Sequence, residues 1–256
     1  MGPVQLNETV RMKKAHILLA IVFGVLLIDQ SIKIWVKTHM EYGAELHIFG
    51  LEWALIHFVE NPGMAFGLTL GDGAWGKLAL SIFRLLAITV LLFFIRQLLR
   101  RHDVPFGVLV SFSLILAGAL GNILDSAFYG LLFSESYPNE LATFLPEGGG
   151  YAGFLQGRVV DMFYFPMFRG TWPEWMPLIG GEFYLFFKPV FNVADISISL
   201  GVLNILFFQR SFFMSDPRQA SRQEPSEVSV EDVSGVKDST SPDPLHEGGQ
   251  SVDESV

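Results

Sequence analysis

The sequence predicts an all-α integral membrane protein of four transmembrane helices, with a small sheet and a long insert on its outer side. Three observations lead there. Half of the 256 residues are hydrophobic, with 24 phenylalanines and a mean hydropathy of +0.41, more apolar surface than a soluble domain of this size needs. Four apolar segments, roughly Ala15–Val36, Ala74–Ile95, Val104–Leu124 and Val190–Phe208, approach the ~20 residues that a bilayer core demands. Arg11, Lys13 and Lys14 precede the first segment, Arg96, Arg100 and Arg101 separate the second from the third, and Arg210, Arg218 and Arg222 follow the fourth. Four spans put all three clusters on one side, cytoplasmic by the positive-inside rule, with both termini there and the two long connections outside.

The first segment begins like a signal peptide but has no small-x-small cleavage pattern and runs on past Asp29, so it reads as a retained helix. The connection Lys37–Gly73 carries the alternating stretch Leu51-Glu52-Trp53-Ala54-Leu55-Ile56 ahead of Asn61-Pro62-Gly63, which predicts a small sheet or hairpin lying on the membrane. The connection Phe128–Pro189 is rich in Gly, Pro and aromatics, including Tyr164, Trp172, Trp175 and Tyr184, rings that favour the headgroup zone. Beyond Phe213 the chain is Ser-, Glu-, Asp-, Pro- and Gly-rich, without apolar periodicity, which predicts disorder. This tail holds ten Asp/Glu against three Lys/Arg, so it accounts for −7 of the net −9. The nearly neutral body offers no nucleic-acid surface. The organisation is therefore a cytoplasmic N-terminus 1–14, a four-helix membrane domain 15–212 and an acidic cytoplasmic tail 213–256.

Cysteine is absent, which excludes disulfides, thiolate metal sites and cysteine nucleophiles. The six histidines have no ligand-like spacing, and a structural zinc site is not expected. Gly148-Gly149-Gly150 lacks the strand–turn–helix context of a phosphate loop.

Three aspartates carry the chemistry. Gly121-Asn122-Ile123-Leu124-Asp125 ends the third apolar segment, Phe191-Asn192-Val193-Ala194-Asp195 opens the fourth, and Gly157-Arg158-Val159-Val160-Asp161 lies between them. A carboxylate beside hydrocarbon costs several kcal/mol, so such a residue points to function by default. At ~1.5 Å per helical residue, Asp125 and Asp195 reach the same outer level. Each has an asparagine at i−3, on its own helix face. Two carboxylates held close share one proton, an arrangement suited to peptide hydrolysis. The charged member takes a proton from the attacking water, and the protonated member serves the carbonyl and the leaving amine. Spacing alone favours Asp125 and Asp195 as that pair. The plain alternative is that all three aspartates cap helix ends in interfacial water. Asp29, Lys33 and Arg84 are also charges inside apolar segments, and Asp29–Lys33 or Asp29–Arg84 pairs that bind helices together explain them without substrate. Asn61 either belongs to a turn or grips an extended peptide.

Five ordered blocks over about Lys14–Gln209 resemble the signal peptidase II family of lipoprotein signal peptidases, which are membrane aspartic proteases. Asp29-Gln30-Ser31-Ile32-Lys33 is similar to D-Q-x-x-K, Asn61-Pro62-Gly63-Met64-Ala65-Phe66-Gly67 to N-x-G-x-A-F-G, and Gly121–Asp125 to G-N-x-x-D. Val159-Val160-Asp161-Met162 is similar to V-V-D-F, and Phe191–Asp195 to F-N-x-A-D. The resemblance implies four spans, an extracytoplasmic β-cradle at about 37–73 and an extracytoplasmic loop and insert at about 128–189. It implies a bacterial inner-membrane enzyme, active on the periplasmic side, that cleaves diacylglyceryl-modified prolipoproteins just before the lipidated cysteine. Its partners would be those substrates and membrane lipids, with no nucleic acid, no cofactor and no metal, in a monomer. It implies Asp161 and Asp195 as the catalytic dyad, with Asp29, Lys33, Asn61, Gly63, Asn122, Asp125, Arg158, Asn192 and Ala194 as substrate-binding or supporting residues. The family's arginine after G-N-x-x-D is Ser126 here, and Arg158 is the candidate to supply that charge. The dyad spacing is lengthened by an aromatic insert, Phe165–Lys188, expected to loop out as a lid. A small proton-coupled transporter is the rival reading, but the aspartates gather at one face and no internal repeat is visible. An assembly factor whose polar residues only pack helices is a third.

Overall fold

The computed structural model describes residues 3–62, 74–101, 103–186 and 188–214. The expected disordered tail falls outside them beyond Met214, as do Gly63 to Gly67 of the N-x-G-x-A-F-G block.

Among the described residues, three helices are long and apolar enough to cross a membrane: α1 (Pro3–His39), α2 (Ala74–Arg100) and α3 (Phe106–Leu124), the last continuing through Leu132. α1 is continuous with the segment expected to be a separate N-terminus. The fourth apolar segment forms α4 (Val193–Phe208), a 16-residue helix followed by the short α5 (Arg210–Met214). α4 is shorter than expected because Val190–Phe191 is taken into a strand.

α1, α2 and α4 each turn large apolar side chains outward, among them Phe23, Leu27, Phe83, Leu86, Leu203 and Phe207. That surface suits hydrocarbon rather than water. α3 is the central helix, packed on the other three. Its face toward α4 is small: a Cβ on Gly118 would lie 2.2 Å from the Ala194 carbonyl oxygen. Ser197 Oγ donates to the Leu114 carbonyl (2.8 Å), and Asn204 Nδ2 donates to Ser111 Oγ (2.8 Å). Small residues and interhelical hydrogen bonds are what hold helices together where apolar burial gives no net drive.

The sheet is larger than the first connection alone could supply. β1 (Glu45–His47) and β2 (Leu55–Asn61) come from that connection, and β3 (Val159–Tyr164) and β6 (Val190–Phe191) from the second. The order is β1-β2-β3-β6, all antiparallel, with Val59 opposite Asp161 and Asn61 opposite Val159. A bulge between Ile56 and Val59 shifts the register. The sheet docks on α1 through Val36, Met40, Phe58, Tyr129, Phe133, Val160 and Met162. Each such side chain fully removed from water contributes roughly 2 kcal/mol.

The aromatic insert leaves the sheet after Tyr164 and returns at Val190, which are direct partners across β3–β6. Within it β4 (Phe168–Thr171) pairs with β5 (Phe183–Phe186), and Trp172 packs on Tyr184 at 4.8 Å between ring centroids. Because its ends meet at one neck, the insert lengthens the sequence between Asp161 and Asp195 without separating them in space.

Candidate active site

The polar centre begins on one face of α1. Asp29, Lys33 and Lys37 are four residues apart and therefore stack on one side of the helix. Lys33 is fully buried, its Nζ 2.9 Å from Asp29 Oδ2 and 2.8 Å from Asp125 Oδ2, and it donates to Asn122 Oδ1 at 3.0 Å. Gln30 Nε2 donates to Asp125 Oδ1 (2.9 Å) and Asp29 Oδ2 (3.1 Å), and the Tyr129 hydroxyl donates to Gln30 Oε1 (3.1 Å). Buried ions are tolerated only when paired and hydrogen-bonded in this way.

The remaining bonds of this cluster reach the backbone. Asp29 Oδ1 accepts from the Ala194 N–H (2.9 Å), and Asp125 Oδ2 accepts from the Val160 N–H (3.2 Å). Ala194 and Val160 immediately precede Asp195 and Asp161. The Lys33 cluster thus fixes the chain at both of the other aspartates. Gly121 makes room for it, since a Cβ there would meet Asp29 Oδ2 at 2.7 Å.

Asp161 and Asp195 are held by amides. Asn192 is the N-cap of α4 in a reciprocal capping box: its Oδ1 accepts from the Asp195 N–H (2.9 Å), and Asp195 Oδ2 accepts from the Asn192 N–H (3.3 Å). This is the sequence signature of a helix start put to a second use. Asn192 Nδ2 also donates to Asp161 Oδ1 at 2.6 Å and to Asn122 Oδ1 at 3.2 Å, while Asn122 Nδ2 donates to Asp195 Oδ1 at 3.0 Å. Two asparagines therefore link Lys33 to both carboxylates. Burial first, and then the charge of Asp195, push the Asp161 carboxyl from an ordinary 3.8 up to about 7, against hydrogen bonds from Asn192 and Asn61 and the charge of Lys33. A carboxyl poised there can hold or release a proton near neutrality.

α3 widens at Asp125–Tyr129 into a π-helical turn. Its carbonyls are taken up by the following loop, with Gly157 N–H donating to Ser126 O (2.8 Å) and Leu155 N–H to Ala127 O (3.4 Å). Gly157 lies so close that a Cβ would be 2.3 Å from the Asp125 carbonyl oxygen. π-turns of this kind cluster at functional sites.

The structure brings together Asp29, Lys33, Asn122, Asp125, Asp161, Asn192, Ala194 and Asp195, with Asn61 bonded to Asp161. Asp125, which spacing alone favoured as half of the acid–base pair, is instead bound to Lys33. Arg158, expected to replace the charge missing at Ser126, points elsewhere: its guanidinium pairs with Glu60 (3.2 Å) and Glu135 (2.8 Å). Glu60 also pairs with the buried Lys37, which donates to Ser136 Oγ at 2.8 Å and packs over the rings of Phe133 and Tyr151. Sequence reasoning missed Gln30, Lys37 and Glu60. Lys37 was findable, as the next residue four along from Asp29 and Lys33 on an apolar helix. Among the described residues, no group of three or more His, Asp or Glu is arranged to hold a metal ion.

Three long apolar helices with a small sheet laid over a buried cluster of carboxylates and amides define a membrane enzyme. Residues 21–212 match the family model for signal peptidase (SPase) II. The chain is 46% identical over 196 residues to the lipoprotein signal peptidase of Porphyromonas gingivalis, covering 77% of this chain and 84% of that one. It is 33% identical over 201 residues to the lipoprotein signal peptidase of Amoebophilus asiaticus, covering 78% and 80%. A solved bacterial membrane enzyme aligns over 78% of this chain and 94% of its own at 23% identity, with a TM-score of 0.49. The chain belongs to the signal peptidase II family, and so is a peptidase.

Proposed function

We propose that this protein is a membrane aspartic endopeptidase that removes signal peptides from diacylglyceryl-modified prolipoproteins, cutting just before the lipidated cysteine. The observation that carries the proposal is the pair Asp161 and Asp195, each held by an asparagine amide and both tied back to one cluster on Lys33. Asp161, with its raised proton affinity, carries the proton at rest, and Asp195 is ionised. Asp195 takes a proton from water as the oxygen attacks the scissile carbonyl. Asp161 protonates the carbonyl oxygen to give a gem-diol. As the C–N bond breaks, the proton gained by Asp195 passes to the leaving amine, and one gem-diol hydroxyl returns its proton to Asp161 as the carboxyl product forms. Hydrolysis consumes one water and returns the dyad to its starting state, with no metal or cofactor.

In this reading α4 is the fourth crossing and the site faces the periplasm of a bacterial inner membrane. Arg11, Arg96 and Arg100 converge on one cavity of about 280 Å³ between α1 and α2, which supports a cytoplasmic location for that end. Both termini lie there, 1–14 and 213–256 flanking the membrane domain. The sheet is the cradle for the extended substrate, with Asn61 contacting it, and the enzyme works as a monomer among lipids.

The test is a gel-shift assay with purified protein in detergent and a diacylglyceryl-modified prolipoprotein. Cleavage that survives a chelator and disappears in both Asp161→Asn and Asp195→Asn is the expected result. Folded wild-type protein that never cleaves, or an Asn variant that cleaves normally, overturns the proposal.

A further inference from the structure

Arg84 lies on the inward face of α2, with Lys77, Ser81 and Ile88 at helical spacing along it. The same face is anchored to the loop that packs on the π-turn: Ser81 Oγ donates to the Leu155 carbonyl at 2.9 Å, and Leu155 N–H donates to the Ala127 carbonyl at 3.4 Å. Ten residues into α2, about 15 Å from its start, a half-buried guanidinium is costly unless something there needs a cation. Among the described residues its hydrogen-bond partner is a neutral group. Nη1 donates to Ser126 Oγ at 3.1 Å, and Ser126 Oγ in turn donates to the Asn122 carbonyl at 3.1 Å. Ser126 is almost fully buried and follows Asp125 in the π-turn, so the guanidinium is aimed at the cluster without closing on any one carboxylate.

The surrounding charges decide what such a cation does. Asp29 and Asp125 on α1 and the π-turn are already served by Lys33. Asp161 on β3 and Asp195 on α4 make no salt bridge among the described residues. Glu60, Lys37, Arg158 and Glu135 neutralise one another farther along the sheet. Arg84 reaches the cluster through Ser126 and the Asn122 carbonyl, and the Asn122 side chain donates to Asp195, whereas Asp161 is held one amide farther along by Asn192. Four carboxylates therefore share two cations, and the hydrogen-bonded path from the unpaired one leads first to Asp195.

We propose that Arg84 is the positioning residue that keeps the dyad half-protonated, holding the charge on Asp195 and leaving the proton on Asp161. A fixed positive charge reached through Ser126 biases the shared proton toward the farther carboxyl without forming an ion pair that would lock Asp195. This rests on the dyad mechanism above.

The experiment is the pH profile of kcat and KM on a diacylglyceryl-modified prolipoprotein, for wild type, Arg84→Met, Arg84→Lys, Asp161→Asn and Asp195→Asn. Arg84→Met removes the charge from an apolar helix and so inserts at least as readily as wild type. Its acid limb moves to higher pH by about one unit, with kcat below that limb down about tenfold and KM within about threefold. Arg84→Lys keeps the charge, and its limb stays within about 0.3 unit of wild type. A folded Arg84→Met whose limb does not move overturns the inference, as does a Lys variant whose limb moves by the full unit. The two Asn variants separate the failures. If either still cleaves, the dyad mechanism itself is wrong; if both are dead and the Arg84→Met limb is unmoved, only the role of Arg84 fails.

Discussion

Two pairs of carboxylates sit side by side in this molecule and are held in opposite ways. Asp29 and Asp125 share the Lys33 ammonium and the Gln30 amide, and each binds a backbone N–H. Asp161 and Asp195 are held by Asn122, Asn192 and Asn61 and by the N-cap backbone of α4. A carboxylate locked to a cation has no proton to exchange, but it is a rigid strut. One held by neutral amides has fixed geometry and an unfixed charge, which proton transfer requires. In the proposed mechanism the first pair builds and the second reacts, and the struts end one residue short of Asp161 and Asp195.

That division can be broken experimentally, most sharply at the reactive pair. Asp161→Asn and Asp195→Asn should each lower single-turnover cleavage by about 10³-fold or more while the protein remains folded, because removing one member of an acid–base unit forfeits most of its chemistry. Lys33→Met should act through the fold instead. It strands two buried carboxylates at a cost of about 3–5 kcal/mol, read as a large fall in thermal midpoint or failure to accumulate in membranes. A Lys33→Met protein as stable as wild type but inactive would erase the distinction between the pairs.

Smaller effects sharpen it. Gly121→Ala presses a methyl against Asp29 and the Ala194 side chain; overpacking of about 1–3 kcal/mol should shift α4 and lower kcat about tenfold. The raised proton affinity of Asp161 also has a signature in stability. Since the folded protein holds this proton up to about pH 7 and the unfolded chain releases it near 3.8, stability declines as pH rises between those values and is level above. Asp161→Asn should flatten that decline and melt several degrees higher at pH 8, by scanning calorimetry or fluorescence. Glu60→Gln is the mildest for catalysis. Its effect is on stability alone: the buried Lys37 ammonium loses its carboxylate at a cost of about 3–5 kcal/mol, with kcat unchanged.

The helices were legible in the sequence because apolar length and positive flanks are local properties. α1, α2 and α3 lie where apolar runs are flanked on at least one side by Lys or Arg, and the capping box of α4 is written as Asn192 and Asp195 three apart. The family blocks, rather than spacing, are what propose Asp161 in place of Asp125. What spacing could not see was partnership. Helix depth places Asp125 and Asp195 at one level, but depth does not say which carboxylate meets an ammonium. The sequence offers Arg158 for the charge missing at Ser126, yet its guanidinium leaves toward Glu60 and Glu135.

By itself, then, the sequence determined the apolar helices, the helix-start signal at Asn192 and the set of polar residues that hydrocarbon would not otherwise tolerate. Only the tertiary structure decided how those residues divide. The β3–β6 pairing brings Asp161 to Asn192 across the insert, the close α3–α4 contact at Gly118 brings Asn122 to Asp195, and α1 delivers Lys33 to Asp125 rather than to Asp161. Each is a contact between residues far apart in the chain. Local periodicity fixes which face of an element is polar, but the charge state of a carboxyl depends on what another element puts within a few ångströms of it.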